Sequence, residues 1–458
     1  MLQVVLISTY ELGRQPFGLA SPAAWLRQAG ARVTCLDLSV ERLNEEAISA
    51  AHLVAFYVPM HTATRIATRV VERVKTLNPH AQLCFYGLYA SMNEPFLRAL
   101  GADTILGGEY ETGLVSLVQR LRARPMATTR VPQEEPLISL AKQQFLVPDR
   151  SALVGLSKYA QVHVGNGQSK TVGYTEASRG CKHLCRHCPI VPVYNGLFRI
   201  VQREVVLEDI RRQVAAGAEH ITFGDPDFFN GIGHSVAIVQ SLHREHPHLT
   251  YDVTIKIEHL LKYAEHLGTL RETGCLFVTS AVESIDDQVL TILDKGHTRD
   301  DFTQVVRLCR EAGLVLNPTF VAFTPWISVE GYQDLLSLLA ELDLIEQVAP
   351  IQLAIRLLIP AGSKLLELPD VRDMVGPFDE AGLIYPWRHK DTRVDQLQAD
   401  IQALVQAATA LGEDRREMFS QVWMLAERSP VGSPRALAHP ASLQQRAPIP
   451  YLTEPWYC

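Results

Sequence analysis

The sequence predicts an α/β chain with two parallel sheets in succession. The first is open and doubly wound; the second curves into a partial (β/α)6 barrel and is followed by a helical C-terminal extension. Three observations predict this. Short apolar runs alternate with stretches of helical period through most of the chain. One segment rich in Arg, Pro, Thr and Glu, 122–135, interrupts that alternation and reads as a domain boundary. Beyond it, the polar residues of interest fall at strand ends, where barrels of parallel strands gather functional groups.

In the N-terminal third, the apolar run Val4 to Ile7 is followed by a loop punctuated by glycine and proline, Gly13 to Gly18. Pro22 opens a helix through Leu26, and Gly30 closes it before the strand Val33–Leu38. The unit repeats with Leu53–Val58 and a helix carrying Ile66, Val70, Val71 and Val74, then with Gln82–Tyr86 and Ala102–Leu106. This is a Rossmann-like arrangement, with ligands expected beyond the carboxyl ends of the strands. Cys35 and Cys84 lie in predicted core strands, where free cysteine acts as a small hydrophobe.

From Thr171 the order is strand, cysteine loop, helix and strand, repeated. Predicted strands are Glu219–Phe223, Tyr251–Ile255, Leu276–Ser280, Val315–Val321 and Ile351–Ile355, about six βα units in all, as in a partial TIM-type barrel. Cys275 and Cys309 read as core. Helices are expected over Val394–Leu411 and Glu417–Glu427. The domains are therefore placed at 1–125, 126–170 (linker and lead-in), 171–370 and 371–458.

Composition narrows the class. With 458 residues, 47% hydrophobic and 20% charged, the chain can bury sizeable cores. A formal net charge of −7 makes nucleic acid an unexpected partner. There is no apolar run long enough for a transmembrane helix, and the opening residues read as a strand, not a signal peptide. Eight unevenly placed cysteines do not make a disulfide framework.

The chemistry is concentrated in Arg179-Gly180-Cys181-Lys182-His183-Leu184-Cys185-Arg186-His187-Cys188-Pro189. Three cysteines at C-x3-C-x2-C spacing point to one iron–sulfur cluster, since thiolates are soft ligands suited to such clusters and to zinc. Zinc is the alternative, with His183 or His187 as fourth ligand, but no second cysteine pair follows as structural zinc sites usually require. An exposed cluster loop favours a cytoplasmic location.

The C-x3-C-x2-C run resembles the signature of the radical S-adenosylmethionine (SAM) enzymes. The resemblance implies that Cys181, Cys185 and Cys188 hold a [4Fe-4S] cluster whose fourth iron takes the amino and carboxylate groups of SAM. Reductive cleavage of SAM to a 5′-deoxyadenosyl radical or a related fragment would follow. It further implies an electron donor such as flavodoxin or ferredoxin. Gly224-Asp225-Pro226-Asp227 stands where the family holds SAM's ammonium, although it departs from the usual Gly-Gly-Glu. Asp225 and Asp227 could equally be turn and cap residues. Glu283 and Ser284 resemble the pair that touches SAM's ribose and carboxylate, and Lys295-Gly296-His297-Thr298 the turn that ends the next helix. Arg356, in an otherwise apolar run, needs a partner: a carboxylate of SAM or substrate, or a structural ion pair.

The N-terminal domain resembles the cobalamin-binding domain that precedes many radical SAM domains. Gly18-Leu19-Ala20-Ser21-Pro22 with Leu26-Arg27-Gln28-Ala29-Gly30 matches its first helix, and Gly107-Gly108-Glu109-Tyr110-Glu111 its last turn. No histidine stands in the loop from Ser8 to Phe17, and Phe85-Tyr86-Gly87-Leu88 replaces the paired glycines expected near the nucleotide tail. His61 is a candidate contact or a solvated loop residue. Cobalamin is thus left open as a third cofactor. With it, methyl transfer is expected; without it, hydrogen abstraction or transfer of SAM's aminocarboxypropyl arm to a soft atom. The methylthiotransferase branch is disfavoured, because its N-terminal three-cysteine set is absent. A non-enzymatic zinc or iron–sulfur sensor is the competing class. The ending Tyr451-Leu452-Thr453-Glu454-Pro455-Trp456-Tyr457-Cys458 resembles the start of the Cys-Cys-Ala-Glu-Pro tail, or its selenocysteine form, of one radical SAM group. The substrate, a small molecule or peptide, has no motif.

Overall fold

The computed structural model describes residues 1–123, 131–165, 167–428 and 451–452. Part of the linker segment and the tail from residue 453 onward, Cys458 included, lie outside these.

Six strands form the first sheet: β1 (Gln3–Ser8), β2 (Arg32–Asp37), β3 (Leu53–Tyr57), β4 (Gln82–Tyr86), β5 (Thr104–Gly108) and β6 (Ile138–Ser139). The order is β2-β1-β3-β4-β5-β6 and every pairing is parallel. Alternating residues build two cores. Tyr57, Cys84 and Tyr86 face the helices Phe17–Gln28 and Glu111–Arg122, while Phe56 and Phe85 join the core on the opposite face, with the helix His61–Leu77.

Two local expectations change. Pro22 lies inside the helix Phe17–Gln28, not at its start. A proline there has no N–H for the carbonyl of Gly18, and Tyr86 Oη donates to that carbonyl at 2.8 Å instead. The helix His61–Leu77 buries Ala63, Thr64, Ala67, Val71 and Val74; Ile66 and Val70 stay half-buried because they sit to the side of that stripe.

The second sheet begins with an antiparallel hairpin, β7 (Gln161–Gly165) and β8 (Gln168–Thr175), which the sequence did not signal. β9 (Ser178–Gly180) and β10 (Phe198–Ile200) form a separate two-stranded ribbon. Parallel strands β11 (His220–Phe223), β12 (Thr250–Thr254), β13 (Cys275–Glu283) and β14 (Val315–Phe320) then extend from β8. Tyr451–Leu452 pair with β7 at the outer edge. The sixth barrel position is reduced. Pro350–Leu353 is a short 3₁₀ turn, where a strand was expected, and a single bridge between Phe323 and Arg356 marks the place. Helices Thr392–Leu411 and Arg415–Arg428 pack Val394, Leu397, Ile401, Val422 and Trp423 into the barrel's outer core.

On β13 and β14, Val278, Val282, Leu316 and Phe320 are buried in that outer core, whereas Thr279, Ala281, Asn317 and Thr319 are half-exposed. The concave face of the barrel is therefore lined by short side chains and stays open. Among the described residues no helix is long and apolar enough to cross a membrane.

Candidate functional site: a three-thiol loop facing an interdomain cleft

The β9–β10 ribbon closes the base of the cysteine loop, pairing Gly180 with Phe198. Within the loop Cys188 N–H donates to the Cys185 carbonyl at 3.1 Å, a turn that brings the second and third thiols together. Arg186 fixes the loop from outside: its N–H reaches the Leu293 carbonyl and its guanidinium the carbonyls of Thr291 and Ile292, at the C-terminal end of the helix Asp287–Leu293. All three cysteines are free thiols. Burial pushes the Cys181 thiol up to about 11, and burial with neighbouring Cys185 pushes Cys188 up to about 12. Such groups stay neutral by themselves, and a bound metal centre is what would draw them into the thiolate form. Three soft donors in one turn fit a cluster.

Glu283 ends β13 with φ of +70°, beyond an irregularity in the β13–β14 register at Ala281/Glu283. Only a few non-glycine residues tolerate this region, and a bulge there re-aims a side chain. The Glu283 carboxylate meets His187 Nε2 at 3.0 Å and Lys295 Nζ at 3.5 Å, tying the cysteine loop to the barrel. Burial would raise this carboxyl, but Lys295 and His187 outweigh it and hold it at about 2. Burial would likewise lower Lys295; Glu283, Cys185 and Cys188 keep it raised. Ser284 Oγ is occupied locally, accepting from Asp286 N–H at 3.1 Å.

Residues 224–227 divide in role. A Cβ on Gly224 would lie 1.8 Å from Tyr174 Oη, so glycine is needed for close approach. Asp225 accepts from Ala177 N–H at 2.9 Å and Ser178 Oγ at 2.6 Å, which staples the turn between β8 and β9. Burial pushes its carboxyl up to about 7. Asp227 lies beneath the loop. His259 Nδ1 stands 2.6 Å and His183 Nε2 3.4 Å from its Oδ2. Burial would raise Asp227, and the two imidazoles keep it low.

Arg356 turns elsewhere. Its guanidinium pairs with Asp395 at 2.7 Å, donates to the Trp387 carbonyl and lies 3.5 Å over the Trp387 ring, tying the barrel to the C-terminal helices. The structural ion pair accounts for this residue. His61 is neither solvated nor aimed at a ligand: it is buried, and its Nε2 contacts the Gly382 carbonyl at 2.5 Å.

Sequence reasoning did not assign His297, Lys256 or His259 to the site. His297 is 6% exposed, and among the described residues neither ring nitrogen makes a hydrogen bond. Burial, then Lys295 and Lys256, depress it to about 4, leaving a neutral imidazole free to hydrogen-bond a ligand. Lys256 Nζ reaches His183 Nδ1 at 3.0 Å and Glu258 at 3.1 Å. The Lys-Gly-His turn was a visible signal for His297; nothing local marked the other two.

Arg179, two residues before the first thiol, enters the N-terminal domain. It pairs with Glu111 at 2.7 Å, Glu176 at 2.8 Å and Glu109 at 3.2 Å, all buried or nearly so. Beside it the carboxyl ends of β1, β3, β4 and β5 face β8, β9 and β11 across a cavity of about 190 Å³. Glu11, Arg14, Tyr57, Tyr110, Tyr174 and Glu176 line it, and it borders Gly180 and Pro226. Glu11 Oε2 and Arg14 Nε are buried without hydrogen-bond partners among the described residues.

An open parallel sheet set against a partial barrel, with Gly180 just before the first thiol on the rim of the cavity between them, defines an α/β fold that gathers three free thiols in one loop. Residues 175–341 match the model of the Radical SAM superfamily. Its sequence is 24% identical over 328 residues to the hopanoid C-3 methylase of Methylococcus capsulatus, covering 68% of this chain and 62% of that protein. The chain thus spans less than two thirds of that relative's length.

The cobalamin-dependent SAM radical enzyme OxsB, with aqua-cobalamin and SAM bound, is similar in structure with a TM-score of 0.70 at 14% identity. That match covers 93% of this chain and 72% of OxsB. The radical SAM methyltransferase TsrM from Kitasatospora setae, with cobalamin and a [4Fe-4S] cluster, gives 0.57 at 19% identity over 75% of this chain and 74% of TsrM. At these identities the structures speak for the fold.

Proposed function

We propose that this chain is an enzyme that reductively cleaves SAM at a [4Fe-4S] cluster held by Cys181, Cys185 and Cys188. The observation that carries the reading is the three-thiol turn fixed against the end of β13 by the His187–Glu283–Lys295 contacts. The cluster, when bound and reduced, supplies the electron that breaks a carbon–sulfur bond of SAM.

The chain's own residues orient and enclose. The open concave face of the barrel receives SAM, with Gly224, Asp227, Glu283 and Ser284 along its rim. His297 supplies a neutral imidazole and Lys256 a cation in the same region. Asp225 acts through the turn it staples, and Arg356 through the C-terminal helices it holds. The cavity between the domains, next to Gly180 and Pro226, is the place for a small substrate. Its buried Glu11 and Arg14 atoms offer polar contacts to such a substrate. Exposed Lys182 and Leu184 on the cysteine loop offer a docking point for an acidic one-electron donor. The domain limits are those given by the sequence, and the location is the cytoplasm.

Cobalamin-dependent methyl transfer is the activity suggested by the relatives' names. It would need the crevice between β1 and β3 to open. With Tyr57 and Tyr86 packed as they are, hydrogen abstraction or aminocarboxypropyl transfer without a corrinoid has the packing on its side. Anaerobic reconstitution with iron and sulfide, then dithionite and SAM, separates these: 5′-deoxyadenosine marks hydrogen abstraction, methylthioadenosine marks aminocarboxypropyl transfer, and intact SAM contradicts both.

A further inference from the structure

We infer that the N-terminal domain is sealed by its own tyrosines against the nucleotide tail of cobalamin. In an open sheet of order β2-β1-β3-β4-β5, a ligand enters at the switch point between β1 and β3, outside the carboxyl ends of the strands. Here Tyr57 closes the β3 side of that crevice, and Tyr86 and Tyr110 continue the seal across the ends of β4 and β5. Tyr57 is the last residue of β3, Tyr86 the last of β4, and Tyr110 directly precedes the helix Glu111–Arg122. Their rings pack on one another, with centroids 5.3 Å apart for Tyr57–Tyr86, 5.0 Å for Tyr86–Tyr110 and 6.0 Å for Tyr57–Tyr110. All three are buried, on the sheet face covered by the helices Phe17–Gln28 and Glu111–Arg122.

The packing is close on every side. A Cβ on Gly18 would lie 2.1 Å from the Tyr57 ring, so the first helix already touches it without leaving a gap. Gly87, after β4, would bring a Cβ within 3.1 Å of the same ring. Tyr86 is held in place by its bond to the Gly18 carbonyl, the one that Pro22 leaves without a helical donor. Moving either ring aside would uncover that carbonyl or break the aromatic set, at a cost the tail's contacts would have to exceed. What remains is the cavity of about 190 Å³, below the roughly 300–1,000 Å³ of pockets that hold drug-sized ligands. A corrinoid is larger than those.

The inference concerns the same cleft as the radical SAM reading but stands apart from it, because SAM cleavage is measured without any corrinoid. The test uses the full chain with its cluster reconstituted. Cob(II)alamin and cob(II)inamide, which lacks the nucleotide tail, are each titrated anaerobically and followed by visible absorbance, with protein-bound cobalt counted after gel filtration. The expected result is that cobalamin is held no more tightly than cobinamide, whether both are retained or neither. Retention of one cobalamin per chain with about a tenfold or greater preference over cobinamide overturns the inference. SAM cleavage by the same preparation without corrinoid reports separately on the proposed function.

Discussion

Tyr86 donates its phenolic hydrogen to the carbonyl of Gly18 at 2.8 Å, across the gap between β4 and the first helix. The relationship exists because Pro22, four residues on, cannot supply the helical N–H. Tyr86→Phe keeps the ring and strands the carbonyl, so it should lower stability by about 1–3 kcal/mol in urea unfolding. A loss near zero would show that water or a shifted helix satisfies Gly18.

Arg179 joins the domains through Glu109 and Glu111, and pairs with Glu176 on its own side. Arg179→Met would leave Glu109, Glu111 and Glu176 facing one another in a buried space. The expected loss is roughly 3–5 kcal/mol, with the two domains no longer unfolding together. Calorimetry would show one transition in the parent chain and two in the variant; a single unshifted transition would mean that the arginine is dispensable.

Glu283 gives a pH signature. Its folded-state carboxyl sits at about 2, below its ordinary 4.5, despite burial and because of Lys295 and His187. A depressed carboxyl contributes stability that is complete above the ordinary value and is lost as pH falls toward the folded one. The stability gap between the parent and Glu283→Gln should therefore shrink on acidification from about pH 5 to about pH 3. Denaturant midpoints across that range check it, and a constant gap would contradict the ion-pair account.

For Arg356 the prediction separates structure from catalysis. Arg356→Ala removes the Asp395 pair and the stacking on Trp387, and should cost about 1–2 kcal/mol, mostly from the stacked contact. SAM affinity should stay within about a factor of three, under 1 kcal/mol. Isothermal titration with a SAM analogue measures this; a hundredfold loss would restore the carboxylate-binding role.

Much of this was legible from the chain. Gln82–Tyr86 was read as a strand at its observed limits, and Cys35, Cys84, Cys275 and Cys309 are buried as their apolar neighbours implied. The cysteine spacing located the loop. What the sequence hid depends on partners distant in the chain. Arg356 could not be assigned until Asp395 and Trp387 folded against it, nor His61 until Gly382 did. The 3₁₀ turn at Pro350–Leu353 shared its apolar pattern with a strand, a short run that period alone does not resolve. Tyr57 and Tyr86 looked like ordinary strand residues; only their stacking against Gly18 and Tyr110 shows that they close a crevice.

The central claim is that Cys181, Cys185 and Cys188 hold a cluster that cleaves SAM. The most direct measurement is mass spectrometry of the products formed from SAM and dithionite by the anaerobically reconstituted full chain and its Cys185→Ala variant. The account predicts 5′-deoxyadenosine or methylthioadenosine from the parent and neither from the variant. Zinc bound in place of iron, with SAM intact in both, would contradict it.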